Sequence, residues 1–219
     1  MFMGNIFKFR KDIYINNNLL IKNFDLNIKD YRSIIVLGSS GSGKTTVLKS
    51  IRRSFRLDNL VKVYISNTIR ESEFTYDKSD DLVRKFLRKK DNYLTRINLI
   101  YLAINRPKYL FLDDLSGVLS NSDIQLYFAI LKKYNITYIY FTCKTDLLFL
   151  FDYAYVIYLK CIAMEGTPRS FLKKESLFNK FGFDYPFYPA LSKKLMLYNV
   201  INDICFDEEE LEEALWPKE

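Results

Sequence analysis

Short apolar runs bounded by polar turns recur along the chain, and they predict buried β-strands. The clearest runs are Ser33–Leu37, Lys108–Leu112 and Thr137–Thr142. Runs of this kind are typical of central strands in a parallel sheet, where both faces of each strand are covered. After the first run, the apolar residues of the segment 46–51 fall at helical spacing. Strands alternating with helices predict an α/β fold with a mostly parallel sheet.

Weaker patterns flank this core. An antiparallel β-region is predicted near residues 5–30, and a C-terminal helical appendage beyond residue 172. Two short helices are predicted within about 78–106, with one apolar face made of Leu82, Val83, Phe86 and Leu87. A length of 219 residues fits one domain with a small appendage. The chain is therefore divided into a main domain, 1–172, and an extension, 173–219.

The most informative stretch follows the first strand directly. Residues 38–45 read Gly-Ser-Ser-Gly-Ser-Gly-Lys-Thr, which fits G-x-x-x-x-G-K-[ST]. Between a strand and a helix, this pattern is typical of a phosphate-binding loop, whose backbone N–H groups converge on phosphates at the positive end of the helix. Lys44 is expected to reach the β/γ-phosphates, and the Thr45 hydroxyl to bind Mg²⁺. The predicted nucleotide contacts here are Gly38, Ser39, Ser40, Gly41, Ser42, Gly43, Lys44, Thr45 and Thr46.

A second motif closes the apolar run 108–112, which ends in Asp113 and Asp114. The end of a parallel strand lies at the carboxyl edge of the sheet, where open α/β sheets bind ligands. There Asp113 can hold Mg²⁺ opposite Thr45. Asp114 could orient an attacking water, so Asp114 and Lys44 are the predicted catalytic residues. The two motifs together predict a site for ATP and Mg²⁺.

Composition excludes several other chemistries. The chain has no histidine, which excludes histidine-based catalysis and histidine metal ligation. Cys143, Cys161 and Cys205 form no C-x-x-C pair, so neither a disulfide framework nor a zinc site is predicted. The most apolar run, Leu147–Leu159, contains Asp152 and is shorter than the roughly 20 residues that a membrane helix needs. The N-terminus shows no signal-peptide pattern, so a cytoplasmic location is expected.

Charge is unevenly distributed along the chain. The net charge is +7, but residues 201–219 carry −7 and residues 1–200 carry +14. Basic clusters lie at Arg52, Arg53 and Arg56, and within the segment 84–90. Such clusters could meet nucleic acid, an anionic membrane surface or an acidic partner helix, or they could be solvated helix faces. The acidic tail could also dock on the basic body.

The order of these motifs resembles that of the ATP-binding cassette (ABC) family of ATPases. Arg106–Asp114 resembles the Walker B run of the family, Thr137–Cys143 its next strand, and Glu165–Leu172 its closing turn. The resemblance runs from about Tyr14 to Leu172 and implies a P-loop NTPase core. It also implies that Tyr14 stacks on adenine, and that Asn67, near the position of the Q-loop glutamine, is a further metal contact.

The chain departs from the family pattern at the positions that the resemblance links to ATP hydrolysis. Only 69 positions separate Lys44 from Asp113, so the helical subdomain is much reduced. The signature motif falls on Lys89–Tyr93, where no residue matches, although Arg96 lies where the family has an arginine. The switch histidine, the catalytic glutamate and the D-loop aspartate correspond to Cys143, Asp114 and Ser120. Since a misplacement of about 1 Å can cost about 100-fold in rate, we expect MgATP binding with weak or no hydrolysis.

The C-terminal extension resembles that of the ATPase components of energy-coupling factor (ECF) transporters, at Phe181–Phe187, Leu191–Leu195 and Asp207–Trp216. A short packed amphipathic helix would give the same final pattern. The resemblance implies a subunit that pairs with another ABC ATPase and a transmembrane subunit, peripheral on the cytoplasmic face of a membrane. Two alternatives stay open: a regulatory or scaffold protein that uses the core as an ATP sensor, and a nucleic-acid-associated ABC ATPase.

Overall fold

The fold is organised around one six-stranded sheet. The computed structural model describes residues 7–15, 18–28, 32–56, 60–65, 79–159, 161–172 and 175–216. The sheet contains β3 (Ser33–Gly38), β4 (Val61–Tyr64), β5 (Tyr109–Leu112), β6 (Thr137–Thr142), β7 (Tyr153–Tyr158) and β8 (Cys161–Gly166). Its spatial order is β4-β5-β6-β3-β7-β8, and every pairing is parallel except that of the edge strand β8. The predicted mixed α/β fold with a parallel-dominated sheet is therefore confirmed.

A separate antiparallel ribbon precedes this sheet. It consists of β1 (Phe7–Ile15) and β2 (Asn18–Ile28), which pair from Phe7 and Ile28 at one end to Ile15 and Asn18 at the other. This is the antiparallel region that the sequence predicts near the N-terminus.

The helices follow the strands in the expected alternation. They are α1 (Lys44–Ser54), α2 (Asp81–Leu87), α3 (Tyr93–Ile104), α4 (Asn121–Lys133), α5 (Pro168–Leu172), α6 (Glu175–Phe181), α7 (Phe187–Leu197) and α8 (Glu208–Leu215). The pair α2 and α3 corresponds to the two helices predicted within 78–106, and α6 to α8 lie within the predicted C-terminal extension. A 3₁₀ turn, Leu148–Leu150, precedes β7.

The central sheet separates two apolar clusters, because successive strand residues point to opposite faces. On one face, Ile34 and Val36 pack with the buried residues of α1, β1 and β2. On the other face, Ile35 and Leu37 pack with α2, α3 and α4 and with Phe178 of α6. The strand β3 is thus covered on both faces, and its carboxyl end opens into the loop that begins at Gly38.

Candidate functional site

The glycine loop joins the carboxyl end of β3 to the first residue of α1, where the sequence placed it. Gly41 and Gly43 have φ angles of 78° and 98°, a region that side chains with a Cβ rarely occupy. A Cβ at position 38 would lie 2.4 Å from the Ser42 Oγ, so the loop also closes tightly at its first residue. The backbone of this loop therefore depends on its glycines.

Lys44 is folded back onto this loop. Its Nζ donates to the carbonyl oxygen of Gly38 at 2.6 Å and to that of Ser39 at 2.9 Å. Burial lowers the pKa of the Lys44 ammonium, and the charges of Cys143, Asp114 and Asp113 act in the opposite direction. The positive charge of Lys44 thus lies inside the turn, against two of its carbonyl groups.

The end of β5 lies next to the start of α1. The Thr45 Oγ1 donates to the Asp113 Oδ2 at 3.1 Å, and Asp113 is only 5% exposed. Burial raises the pKa of Asp113, while hydrogen bonds from the Asp114 N–H and from Thr45 act against that rise. A hydroxyl beside a carboxylate is an all-oxygen pair of the kind that Mg²⁺ prefers. The fold thus joins two motifs that are 69 positions apart in sequence.

Asp114 is engaged by several donors at once. Its Oδ1 accepts from the Ser116 N–H at 2.9 Å and from the Tyr140 hydroxyl at 3.2 Å. Its Oδ2 accepts from the Thr142 hydroxyl at 3.1 Å and from the Cys143 Sγ at 3.7 Å. Burial alone would raise the pKa of Asp114, but the bonds from Ser116, Thr142 and Tyr140 outweigh it, and the pKa lies below its usual value. The carboxylate is therefore held charged and in place.

Six of the remaining predicted site residues lie on or beside this loop. Ser39, Ser40, Gly41, Ser42, Gly43 and Thr46 occupy the loop and the first turn of α1. Tyr14 lies on β1 and is 55% exposed, and none of the described hydrogen bonds or ring contacts joins it to the loop. Asn67 lies outside the described residues.

The segment in the position of the ABC signature motif is tied into the helical region. Lys89 donates to the Asp123 Oδ1 at 2.8 Å, and the Asn92 amide to the Val118 carbonyl. Asn92 has a φ of 53° and stands directly before α3. Lys90 is exposed. This stretch therefore links α2 to α3 and is bonded to α4 and to the loop before α4.

Arg96, four residues after Asn92, is buried and donates hydrogen bonds to three different residues. It is 2% exposed, and it donates to the Asp91 carbonyl, the Phe86 carbonyl and the Asp123 Oδ2. Ser120, in the place of the D-loop aspartate, caps α4 and donates to the same carboxylate at 2.7 Å. Both residues thus stabilise the joint between α2, α3 and α4.

No protein-family model matches the chain. Over 54 residues it is 37% identical to the ABC transporter ATM1 of Plasmodium falciparum (isolate 3D7), a stretch that covers 25% of this chain and 5% of that transporter. Its structure is similar to that of a bacterial Atm1-family ABC exporter with ATP bound, with a TM-score of 0.63 and 11% identity, over 80% of this chain and 41% of the exporter chain. The chain thus matches less than half the length of either protein. Both comparisons relate it to ABC transporters, and the structural likeness shows the fold.

Within the described residues, none of the helices combines the length and the apolar character that crossing a membrane requires.

Sequence reasoning missed the groups that surround Asp114. Tyr140 and Thr142 lie in an apolar run that reads simply as a buried strand, and their hydroxyls reach Asp114 because β6 pairs with β5 in the register Leu112 to Tyr140. Two hydroxyls at alternate positions near the end of a predicted central strand are the one signal that the sequence offers, since such residues share a face.

Proposed function

We propose that this chain is an ATP-binding subunit of an ABC-type membrane transporter, with weak or no ATP hydrolysis. The observation that carries this proposal is the convergence of the glycine loop, Lys44 and the pair formed by Thr45 and Asp113 at the carboxyl ends of β3 and β5. Open α/β sheets bind ligands at this edge.

The residues present fit a magnesium nucleotide. The loop provides a tight turn with glycines at positive φ, and the Ser42 Oγ is buried with no hydrogen-bond partner among the described atoms. Lys44 can exchange the carbonyls of Gly38 and Ser39 for phosphate oxygens, which are stronger charge-assisted acceptors. Thr45 and Asp113 would hold Mg²⁺, which would neutralise negative charge on the phosphates.

Weak turnover follows from the surroundings of Asp114. A general base must accept a proton, yet both carboxylate oxygens of Asp114 already accept hydrogen bonds. Cys143, in the place of the switch histidine, contacts the same carboxylate. The signature position is occupied by the Lys89–Tyr93 segment, whose bonds lie within its own helical region.

The finer assignment rests on the resemblance of residues 173–219 to the extension of ECF-type ATPases. On this proposal the subunit works with another ABC ATPase and a separate transmembrane subunit, peripheral on the cytoplasmic face of a membrane. A second candidate is a regulatory protein that senses ATP without turnover. The engagement of Asp114 by four donors favours that candidate, because such a protein needs binding but no proton acceptor.

Calorimetric titration with MgATP tests nucleotide binding. We expect the wild type to bind, and Lys44→Ala to weaken binding by at least about tenfold, because a charge-assisted hydrogen bond contributes about 1.5–3 kcal/mol. Lys85→Ala removes an exposed lysine of α2 and should leave binding unchanged. A wild type that does not bind MgATP, or a Lys44→Ala variant that binds equally well, would rule out the proposal.

Two further measurements test the loss of hydrolysis and separate the two candidates. Turnover in the ordinary enzymatic range of about 1–10³ s⁻¹, abolished by Asp114→Ala, would contradict impaired hydrolysis. Purification of the tagged chain from gently solubilised membranes with MgATP should recover a second ABC ATPase and a multi-span membrane protein if it is a transporter subunit. Recovery of the chain without a membrane protein favours the ATP sensor.

A further inference from the structure

A large cationic groove lies away from the nucleotide loop. It has a volume of about 730 Å³ and runs between the second half of α1, β4 and α3. Five cations line it: Lys49, Arg52, Arg53, Arg56 and Lys62. No acidic residue is among its described lining residues, which also include aromatic and amide groups such as Phe55, Tyr101 and Asn98.

Three of these cations lie on α1. Lys49, Arg52 and Arg53 are spaced by three and four residues, so they share one face, opposite the buried Val47, Leu48 and Ile51. They extend over about 6 Å of the helix, from the helical rise of about 1.5 Å per residue. Arg56 follows the end of α1 and adds positive charge to the groove.

These cations lack counter-ions in the described part of the chain, unlike other basic residues. None of the five takes part in the ion pairs of the described residues, whereas Arg84 pairs with Asp81 and Lys89 with Asp123. The two basic clusters of the sequence therefore differ. The 84–90 cluster is partly neutralised within the fold, and the α1 cluster is left for an external anion.

The chain itself carries an exposed acidic helix. On α8, Glu209 and Glu213 are exposed and fall at i and i+4, so they share one face, and the exposed Trp216 directly follows the helix. Neither glutamate is in an ion pair among the described residues, and Trp216 is 71% exposed. Trp is the residue type most often at the centre of protein interfaces. This face combines negative charge with a large apolar ring.

Within one copy, α8 is fixed elsewhere. The Arg169 guanidinium of α5 pairs with Glu210 at 2.8 Å and stacks over the Phe206 ring, and Phe206 contacts Phe149. The Asp207 side chain caps the helix by accepting from the Glu210 N–H. The inner face of α8 is thus bound to α5 and the 3₁₀ turn, while its outer face points away from its own fold.

We propose that the cationic groove of one copy receives the outer face of α8 from a second copy. The helix of eight residues is about 12 Å long, so its outer face can cover the cations on α1. Glu209 and Glu213 meet the arginines of α1, and the Trp216 ring meets the aromatic and guanidinium groups of the groove, where cation–π contacts also contribute. The contact joins two different surfaces, so it is head-to-tail and either closes into a ring or extends. It requires no nucleotide and stands independently of the proposed function.

Charge reversal in the two surfaces tests this contact. The groove variant is Arg52→Glu/Arg53→Glu, and the tail variant is Glu209→Arg/Glu213→Arg. Each alone should lower the association constant at least about tenfold in sedimentation at low salt, because close interfacial charge pairs couple by about 1.5 kcal/mol or more. A chain with both pairs reversed should associate again. In a mixture of the two single-surface variants, each groove has a tail of opposite charge on the other variant, so association should be restored with the two variants in equal proportion.

The one tryptophan of the sequence gives a second readout. As the concentration of wild-type chain rises at low salt, Trp216 emission should shift to shorter wavelength, and added salt should reverse the shift because exposed charges are screened. The matched control is Lys85→Glu/Arg88→Glu on α2, which changes the net charge equally and should associate like the wild type. Circular dichroism of every variant verifies that the fold is retained.

Several outcomes overturn the proposal. The first is a wild type that stays monomeric at low salt with constant Trp216 emission, and the second is a groove variant that associates normally. The third is an equal loss of association in the α2 control, which would show that association depends only on the net charge of the chain. The fourth is a monomer whose groove variant loses binding to a single-stranded oligonucleotide, which would make the groove a nucleic-acid site.

Discussion

At the scale of single residues, Asp114 owes its position to the strand beside it. Tyr140 and Thr142 reach it from β6, one hydroxyl on each carboxylate oxygen. Tyr140 also accepts from the Leu115 N–H at 3.3 Å, so its hydroxyl links the carboxylate to the backbone that follows. The chain after β5 is thus held by side chains whose contribution depends on the β5–β6 pairing.

Removing the Tyr140 hydroxyl should therefore cost stability. We expect Tyr140→Phe to lower the free energy of unfolding by about 1.5–3 kcal/mol, because a hydrogen bond to a buried charged group is lost. Urea denaturation measures the change. Tyr138→Phe is the matched control, since that hydroxyl lies two residues earlier on the same strand, is buried, and makes no described hydrogen bond to Asp114. Equal effects in the two variants would contradict a specific role for Tyr140.

The sequence alone predicts the residues of the two motifs in the candidate site, but not the residues that surround Asp114. Lys44, Thr45 and Asp113 follow from local patterns, because each pattern specifies a backbone geometry at the end of a strand. Tyr140 and Thr142 could not be assigned, since a strand pattern gives faces but not the register with its neighbour. Their roles emerge only once Leu112 is paired with Tyr140.

At the scale of elements, α2, α3 and α4 are joined by one carboxylate. Asp123 on α4 accepts from Arg96 of α3 at 2.9 Å, from Lys89 at 2.8 Å and from Ser120 at 2.7 Å. Arg96 also stacks over the Phe86 ring of α2, with 5.0 Å between the guanidinium carbon and the ring centroid. Apolar spacing predicts these helices, but a charged residue such as Arg96 reads as exposed until its partner on a distant helix is known.

Asp123→Asn tests this joint. Breaking a buried ion pair leaves the Arg96 charge uncompensated, so we expect a loss of about 3 kcal/mol in the free energy of unfolding. Asp81→Asn, which breaks an exposed pair with Arg84, should cost less than about 1 kcal/mol. Chemical denaturation of both variants at neutral pH provides the comparison, and similar losses would argue against a structural role for the buried pair.

The same residue predicts a pH dependence. Burial alone would raise the pKa of Asp123, but hydrogen bonds from Arg96, Lys89 and Ser120 outweigh it and hold the pKa well below its ordinary range. As the pH falls, Asp123 is protonated in the unfolded chain before it is protonated in the folded protein. Its contribution to the free energy of unfolding is therefore fully present above about pH 4 and is lost as the pH falls further. Denaturation between neutral and acidic pH should show a smaller acid-induced loss for Asp123→Asn than for the wild type. Parallel pH curves for the two proteins would contradict this assignment.

At the scale of the whole molecule, the sheet joins distant parts of the chain. The strand β3 pairs with β6 on one side and β7 on the other, about 100 residues or more further along. Asp152, just before β7, accepts from the backbone N–H groups of Arg32 and Ser33 and from the Ser33 hydroxyl, at 3.1, 2.9 and 2.9 Å. The alternation of strands and helices predicts a parallel sheet, but it does not fix which strands become neighbours.

Asp152→Ala should weaken this long-range tie. Three donors lose their acceptor, and we expect a fall of about 1–3 kcal/mol in the free energy of unfolding. Asp146→Ala is the control, because that exposed carboxylate accepts only a long bond from Asn121 at 3.4 Å among the described contacts. Thermal and urea unfolding should agree on the ranking. A larger effect at Asp146 would show that Asp152 does not stabilise the start of β3.

The central place of β3 also sets an order in time. On the ribosome, this strand and the glycine loop after it emerge early, but their two neighbours in the sheet are complete only when residue 158 has been synthesised. Domains rich in such non-local pairings fold slowly, because the entropy cost of closing long loops precedes the formation of the stabilising contacts. A nascent or truncated chain ending before β7 would carry the whole glycine motif without the sheet that positions it. The glycine motif is therefore complete early in the sequence, whereas the sheet that positions it requires strands that come much later.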